Sequence, residues 1–182
     1  IAGNAFLLIV HHTTRTHSAD PNLYNSVDTR STKQAPCGGG VRMNHTQHTT
    51  AENSVQVLNR AGTSPVVLVC EHASSRIPEV FGNLGLRDSD LKSHAAWDPG
   101  ALAVAQGMSS RLDATLVAGK VSRLVYDCNR PPEALDAMPS RSETIQIPGN
   151  AELTLSQRQN RATTYYEPFR ACLADTLGQK PA

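Results

Sequence analysis

Apolar positions divide this chain into two unlike regions. After an apolar opening, Ile1 to Val10, the residues from His11 to about Gly62 are mostly Thr, Ser, Asn, His and Gly with almost no hydrophobic period, and they include a Gly38-Gly39-Gly40 tract. Such a stretch cannot bury enough apolar surface to offset the entropy lost on ordering. Residues 1–62 are therefore expected to be a disordered or non-native extension, with a domain at 63–182. Ile1 to Val10 has no basic residues before it and no small-residue cleavage pattern after it, so it does not read as a signal peptide. No run is long enough to span a bilayer.

Beyond Gly62 the pattern changes. Pro65-Val-Val-Leu-Val-Cys70 is a continuous, β-branched apolar run, the pattern of a central parallel strand buried on both faces. Asp88 to His94 offers an aspartate cap to a short helix. Pro99 stands at the start of the next helix, whose Ala101, Val104, Ala105, Met108 and Leu112 follow the spacing of one buried face. Thr115–Ala118 and Arg123–Tyr126 read as strands, joined as a hairpin across Gly119-Lys120. Pro131 to Asn150 is expected to be a long loop over the strand ends. Thr154-Leu-Ser-Gln157 has the form of a capping box and opens a helix with Ala162, Tyr165, Tyr166, Phe169, Leu173 and Leu177 on one face, bent at Pro168. The order of elements predicts an α/β layered domain, with another strand expected after the final helix.

Composition changes this picture little. A formal net charge of +1 gives no general attraction to nucleic acid or an anionic membrane, so recognition of an anion must come from locally placed arginines. The cysteines at 37, 70, 128 and 172 are far apart, without the close pairs of a structural zinc site. Cys70, Cys128 and Cys172 sit in apolar runs and read as reduced, buried thiols of a cytoplasmic protein. His11, His12, His17, His45 and His48 are scattered without ligand spacing on any predicted element.

Three places carry candidate chemistry. His72 follows a buried strand beside Glu71, Ser74, Ser75 and Arg76, and imidazole is both a common metal ligand and a common general base. A thiol nucleophile at Cys70 is disfavoured, because adjacent residues rarely meet in the needed geometry and Cys70 reads as buried. Asp98, between Trp97 and a Pro-Gly helix start, is either a helix cap or a site residue, and His94 stands four residues before it. Arg123 with Asp127, Asn129 and Arg130 closes another apolar run. With Arg76 and Arg141 it reads as a cleft for a small acidic ligand, since guanidinium grips a carboxylate through two parallel hydrogen bonds.

Cys70-Glu-His-Ala-Ser74, Trp97-Asp-Pro-Gly-Ala101, Ser122-Arg-Leu-Val-Tyr-Asp-Cys-Asn-Arg-Pro131 and Tyr166-Glu-Pro-Phe169, in that order, resemble the N-formylglutamate amidohydrolase family. That family is a branch of the zinc-carboxypeptidase and aspartoacylase-like hydrolases. The resemblance covers residues 64–178. It implies a three-layer α/β/α fold with a mixed, mostly parallel, phosphorylase/hydrolase-like sheet, here incomplete. It also implies metal-dependent hydrolysis of N-formylglutamate, or a related N-acyl amino acid, to formate and glutamate in histidine breakdown. Under it His72 is a Zn2+ ligand and Asn129-Arg130 holds the substrate carboxylate, with Arg76 and Arg123 assisting. The wider group carries His-x-x-Glu, whereas position 75 here is Ser, so Glu71 or Asp98 stands in as the next metal or catalytic carboxylate. The third ligand belongs to a later motif absent from this sequence. The expected partner is a small acidic N-acyl amino acid, with neither nucleic acid nor membrane. The alternatives are a non-catalytic anion-binding domain and an inactive fragment of such a hydrolase.

Overall fold

The computed structural model of the chain describes residues 54–180 and, as strand backbone only, residues 6–9. One mixed sheet contains β1 (Phe6–Ile9), β2 (Val55–Leu58), β3 (Val66–Cys70) and β4 (Thr115–Gly119), in the order β1-β3-β4-β2. β3 runs parallel to both β1 and β4, while β2 is antiparallel to β4. The helices are α1 (Asp88–Leu91), α2 (Ala101–Leu112), α3 (Leu155–Arg161) and α4 (Glu167–Gly178), and β5 (Arg141–Ser142) pairs with β6 (Ile145–Gln146) in a small hairpin.

β3 is apolar throughout because it sits inside the sheet with both faces covered. Leu68 and Cys70, in register with Leu116 and Ala118 of β4, pack with Ala101 and Ala105 of α2. Val67, Val69 and Val117 pack instead with Phe169 and Leu173 of α4. Each fully buried Val or Leu contributes about 1.5–3 kcal/mol of transfer free energy. A separate apolar cluster of Leu86, Leu124, Val125, Tyr126, Met138 and Ile147, among others, underlies the segments beyond the strands.

The sheet draws on more of the chain than the expected boundary at Gly62 allows. Val55 and Val57 join the α4 side of the core, and Leu58 joins the α2 side, the two-residue alternation of a strand. Four residues set in polar sequence give too short a pattern to stand out. Phe6–Ile9 is also strand, against β3. The five scattered histidines, with most of the expected disordered segment, lie outside the described residues.

Other expectations change in detail. α1 starts at Asp88, and its cap is Arg87, whose guanidinium pairs with Asp90 at 3.0 Å. At α2 the cap is Gly100, with φ of +88° and no side-chain capping bond, so Pro99 lies just outside the helix. The buried face of α2 is narrower than its spacing suggested. Ala101, Ala105 and Ser109 are buried, whereas Val104 and Leu112 are exposed. The Thr154–Gln157 capping box is present and opens α3. Ahead of Pro168 the helix widens into a π turn over Ala162–Tyr166, where the missing proline N–H is absorbed by a change of hydrogen-bond register.

Residues 123–125 form a turn and Tyr126 is irregular, neither being strand, so no hairpin crosses Gly119-Lys120. Ser122 drives this. Its Oγ donates to Ala96 O at 2.8 Å and accepts from Leu124 N at 3.2 Å, while its carbonyl accepts from Val125 N at 3.0 Å. Leu124, Val125 and Tyr126 remain buried, which is why they read as strand.

Candidate functional site

β3 and β4 run parallel, so the residues that follow them emerge at the same end of the sheet. Gly119 makes the exit tight: a Cβ there would lie 2.3 Å from Glu71 O, so only glycine lets the two strand ends approach this closely. Three segments meet at this end. Asp98 N donates to His72 O at 3.0 Å, Ser122 N to Arg76 O at 2.8 Å, and Arg123 N to Ala96 O at 3.3 Å.

His72 stands at their junction, 5% exposed. Its Nε2 is 2.7 Å from Asp127 Oδ1, and its Nδ1 is 3.4 Å from Asp98 Oδ2. The other oxygen of Asp98 pairs with Arg123 Nη2. Asp127 Oδ1 also accepts from Asn129 N at 2.9 Å. Burial by itself would push the His72 pKa down, but the Asp127 carboxylate, aided by Asp98, outweighs it and holds the imidazole up at about 9. Burial likewise pushes Asp127 up, and the charge of His72 beside it brings it below the usual carboxylate range. Two carboxylates, an imidazolium and a guanidinium thus form a largely buried, near-neutral group in which each charge is compensated by another.

Asp98 faces His72 and Arg123, and no side chain caps α2, so the cap reading of Asp98 does not hold. Glu71, which precedes His72 in the chain, is buried, and its charge reaches the thiols of Cys70 and Cys128. Burial, with that charge, pushes the Cys70 thiol up to about 12, which removes it as a nucleophile at neutral pH.

Of the expected arginines only Arg123 belongs to the cluster, and its partner there is internal. Arg76 is exposed, with its Nε donating to Lys120 O at 3.0 Å. Arg130 pairs with Asp136 at 3.3 Å across a partly exposed contact. Arg141 donates to Glu143 O at 2.7 Å, and His94, at the surface, contacts Glu143 Oε2 at 3.0 Å. Asp127, read from the sequence with the Arg123 group, is instead the partner of His72, a pairing that the sequence reading did not make. Its signal was positional, since it closes a buried apolar run just as His72 does.

Among the described residues, no group of three or more His, Cys, Asp or Glu is placed to hold a metal ion. His72 with a flanking aspartate is at most a partial donor set. A cavity of about 380 Å³ lies at the opposite end of the sheet, lined by Arg60, Thr63, Thr115 and Lys180 among others. No helix among the described residues is long and apolar enough to cross a membrane.

No curated protein matches the sequence. A solved structure that resembles it is the crystal structure of gene product Atu2144 from Agrobacterium tumefaciens, 49% identical, with a TM-score of 0.69. The match covers 72% of this chain and 52% of that one, so the chain spans about half the length of this solved relative. Residues 64–182 match the sequence profile of N-formylglutamate amidohydrolase, and that span includes every member of the His72 cluster. The chain belongs to the N-formylglutamate amidohydrolase family.

Proposed function

We propose that this domain supplies the histidine–carboxylate centre of a hydrolase that cleaves the formyl amide of N-formylglutamate, or the amide of a related N-acyl amino acid, at a Zn2+ or similar divalent ion. The observation that carries the reading is the placement of His72 between Asp98 and Asp127, at the carboxyl ends of adjacent parallel strands, where open α/β sheets bind their ligands.

His72 and Asp98 are the residues that would hold a metal, with further donors needed beyond the described residues. Such an ion, when bound, makes its water more acidic and polarises the amide carbonyl. The chain's own residues do the remaining work. Asp127, on Nε2, fixes which imidazole nitrogen carries the proton and which way the ring faces. Arg123 neutralises Asp98 and restrains its rotation. Glu71, buried and directly before His72 in the chain, is the proposed carrier of the proton from the attacking water to the leaving amine. Asn129 and Arg130 are proposed to hold the substrate carboxylate. The Arg130–Asp136 contact suits this, because a partly exposed ion pair is worth only about 0–1 kcal/mol and yields cheaply to another carboxylate. Arg76 stands as a weaker candidate for the same role.

The test is formate release from N-formylglutamate by this chain and by its longer relative from Agrobacterium tumefaciens, each with zinc added and with a chelator. Zinc-dependent release by the relative that is lost in its counterparts of His72→Ala and Arg130→Ala supports the assignment. Anion binding without turnover in both proteins would instead favour a binding domain.

A further inference from the structure

Leu124 and Val125 lie between the two residues that grip the site from one side, Arg123 on Asp98 and Asp127 on His72. A strand here would pass its carbonyls to a neighbouring strand, but this segment is a turn and needs other donors. Asn150, buried, donates from Nδ2 to Leu124 O at 2.8 Å and to Pro139 O at 2.9 Å. Arg161, 5% exposed, donates from Nη1 to Val125 O at 3.2 Å and to Asn150 Oδ1 at 2.7 Å, and from Nη2 to Gly149 O at 3.4 Å. Its guanidinium also lies 4.4 Å over the Phe81 ring. These partners are neutral, and burial lowers the Arg161 pKa. A buried guanidinium held by neutral oxygens is a costly way to join two segments. Its planar fork, however, reaches a carbonyl and an amide together, which an apolar side chain cannot do.

We infer that Arg161 and Asn150 are positioning residues. By clamping the Leu124 and Val125 carbonyls they set the spacing between Arg123 and Asp127, and so hold both aspartates against His72. Neither residue touches the cluster, and their effect passes through the backbone of the turn. The inference deepens the proposed reading of the same site and depends on it only for the site being catalytic.

The experiment follows the imidazole N–H of His72 by NMR in 15N-labelled protein, with its signal identified by its loss in Asp127→Asn. In the unaltered protein the proton shared with Asp127 is expected at low field and protected from solvent. Arg161→Lys keeps the charge but loses the fork, and the proton should then exchange about tenfold faster or disappear. Lys180→Met, a stability control at the far end of the sheet, should leave it unchanged. If Arg161→Lys does not fold, Asn150→Asp, which keeps an acceptor for Arg161 but loses the donors to Leu124 and Pro139, is followed in the same way. Undiminished protection in the folded variant, or equal loss in Lys180→Met, overturns the inference. The readout needs no turnover, so failure to release formate would count against the proposed activity and leave this wiring standing.

Discussion

At the carboxyl end of β3 and β4, a buried histidine and aspartate are packed against a half-buried aspartate and arginine. At the amino end, the polar groups are tied quite differently. Asp113 is exposed and accepts from Thr63 N at 2.9 Å, Thr63 Oγ1 at 2.7 Å and Asn59 Nδ2 at 3.1 Å. Lys180 donates to Gly62 O and Thr115 Oγ1, both at 2.7 Å, and so fastens the end of α4 beneath the sheet. This second knot uses mostly neutral partners near solvent, which is how a fold closes its ends at low cost. The first places opposite charges out of water with one another as the main compensation, a poor way to gain stability and a common way to prepare groups for proton transfer.

The contrast breaks most visibly if one buried charge is removed. Asp127→Ala leaves a charged imidazole facing an empty position and should cost about 3–5 kcal/mol in urea unfolding. A loss no larger than that of a surface substitution would mean that the four groups are not coupled. Gly119→Ala forces a methyl group against Glu71 O and should cost about 1–3 kcal/mol, read as a lowered midpoint in a thermal melt. The same substitution should also disturb the His72 imidazole signal.

The pH dependence sharpens the comparison, because the two ends should respond at opposite extremes. His72 is raised from 6.5 to about 9, so in metal-free protein its contribution is complete below its unfolded value and is lost as pH rises through about 9. Asp113 is lowered to about 2 by its bonds from Thr63 and Asn59, so its contribution fades as pH falls toward that value. Unfolding midpoints measured across pH should show the alkaline loss vanish in Asp127→Asn and the acid loss shrink in Asp113→Asn. Lys180→Met removes two hydrogen bonds at the amino end and should cost about 1–3 kcal/mol. His72 should be unaffected, as NMR of its ring would report. Asp113→Asn at neutral pH is expected to have the smallest effect of the set.

Residues whose role is set by local pattern were legible in the sequence. The β3 run, the capping box of α3 and the Phe169, Leu173 and Leu177 stripe of α4 were read from spacing alone, because burial on both faces and helix capping each leave a short-range signature, whereas Ala162, Tyr165 and Tyr166, expected on the same face, pack in the other cluster across the π turn. Residues 123–126 were not, since the same apolar letters are buried in a turn and the irregular residue after it once Ser122 rewires the backbone. β2 was hidden by its brevity. In the candidate site, His72 and Asp98 drew notice by type and position, and the structure brings them together. The partners of the arginines depend on long-range geometry, so spacing could not reveal that Arg123 is taken up by Asp98 or that Asp127 completes the imidazole pair.

The wide turn at Ala162–Tyr166 has a consequence for phase. Wound as an uninterrupted α-helix, the same residues would carry Phe169 and Leu173 about 100° around the axis, away from the sheet they now cover. The turn absorbs one surplus residue and restores the angular setting of everything downstream. A relative one residue shorter at this point could therefore keep both helical faces intact with a plain helix, and an alignment gap placed there would leave the packing undisturbed.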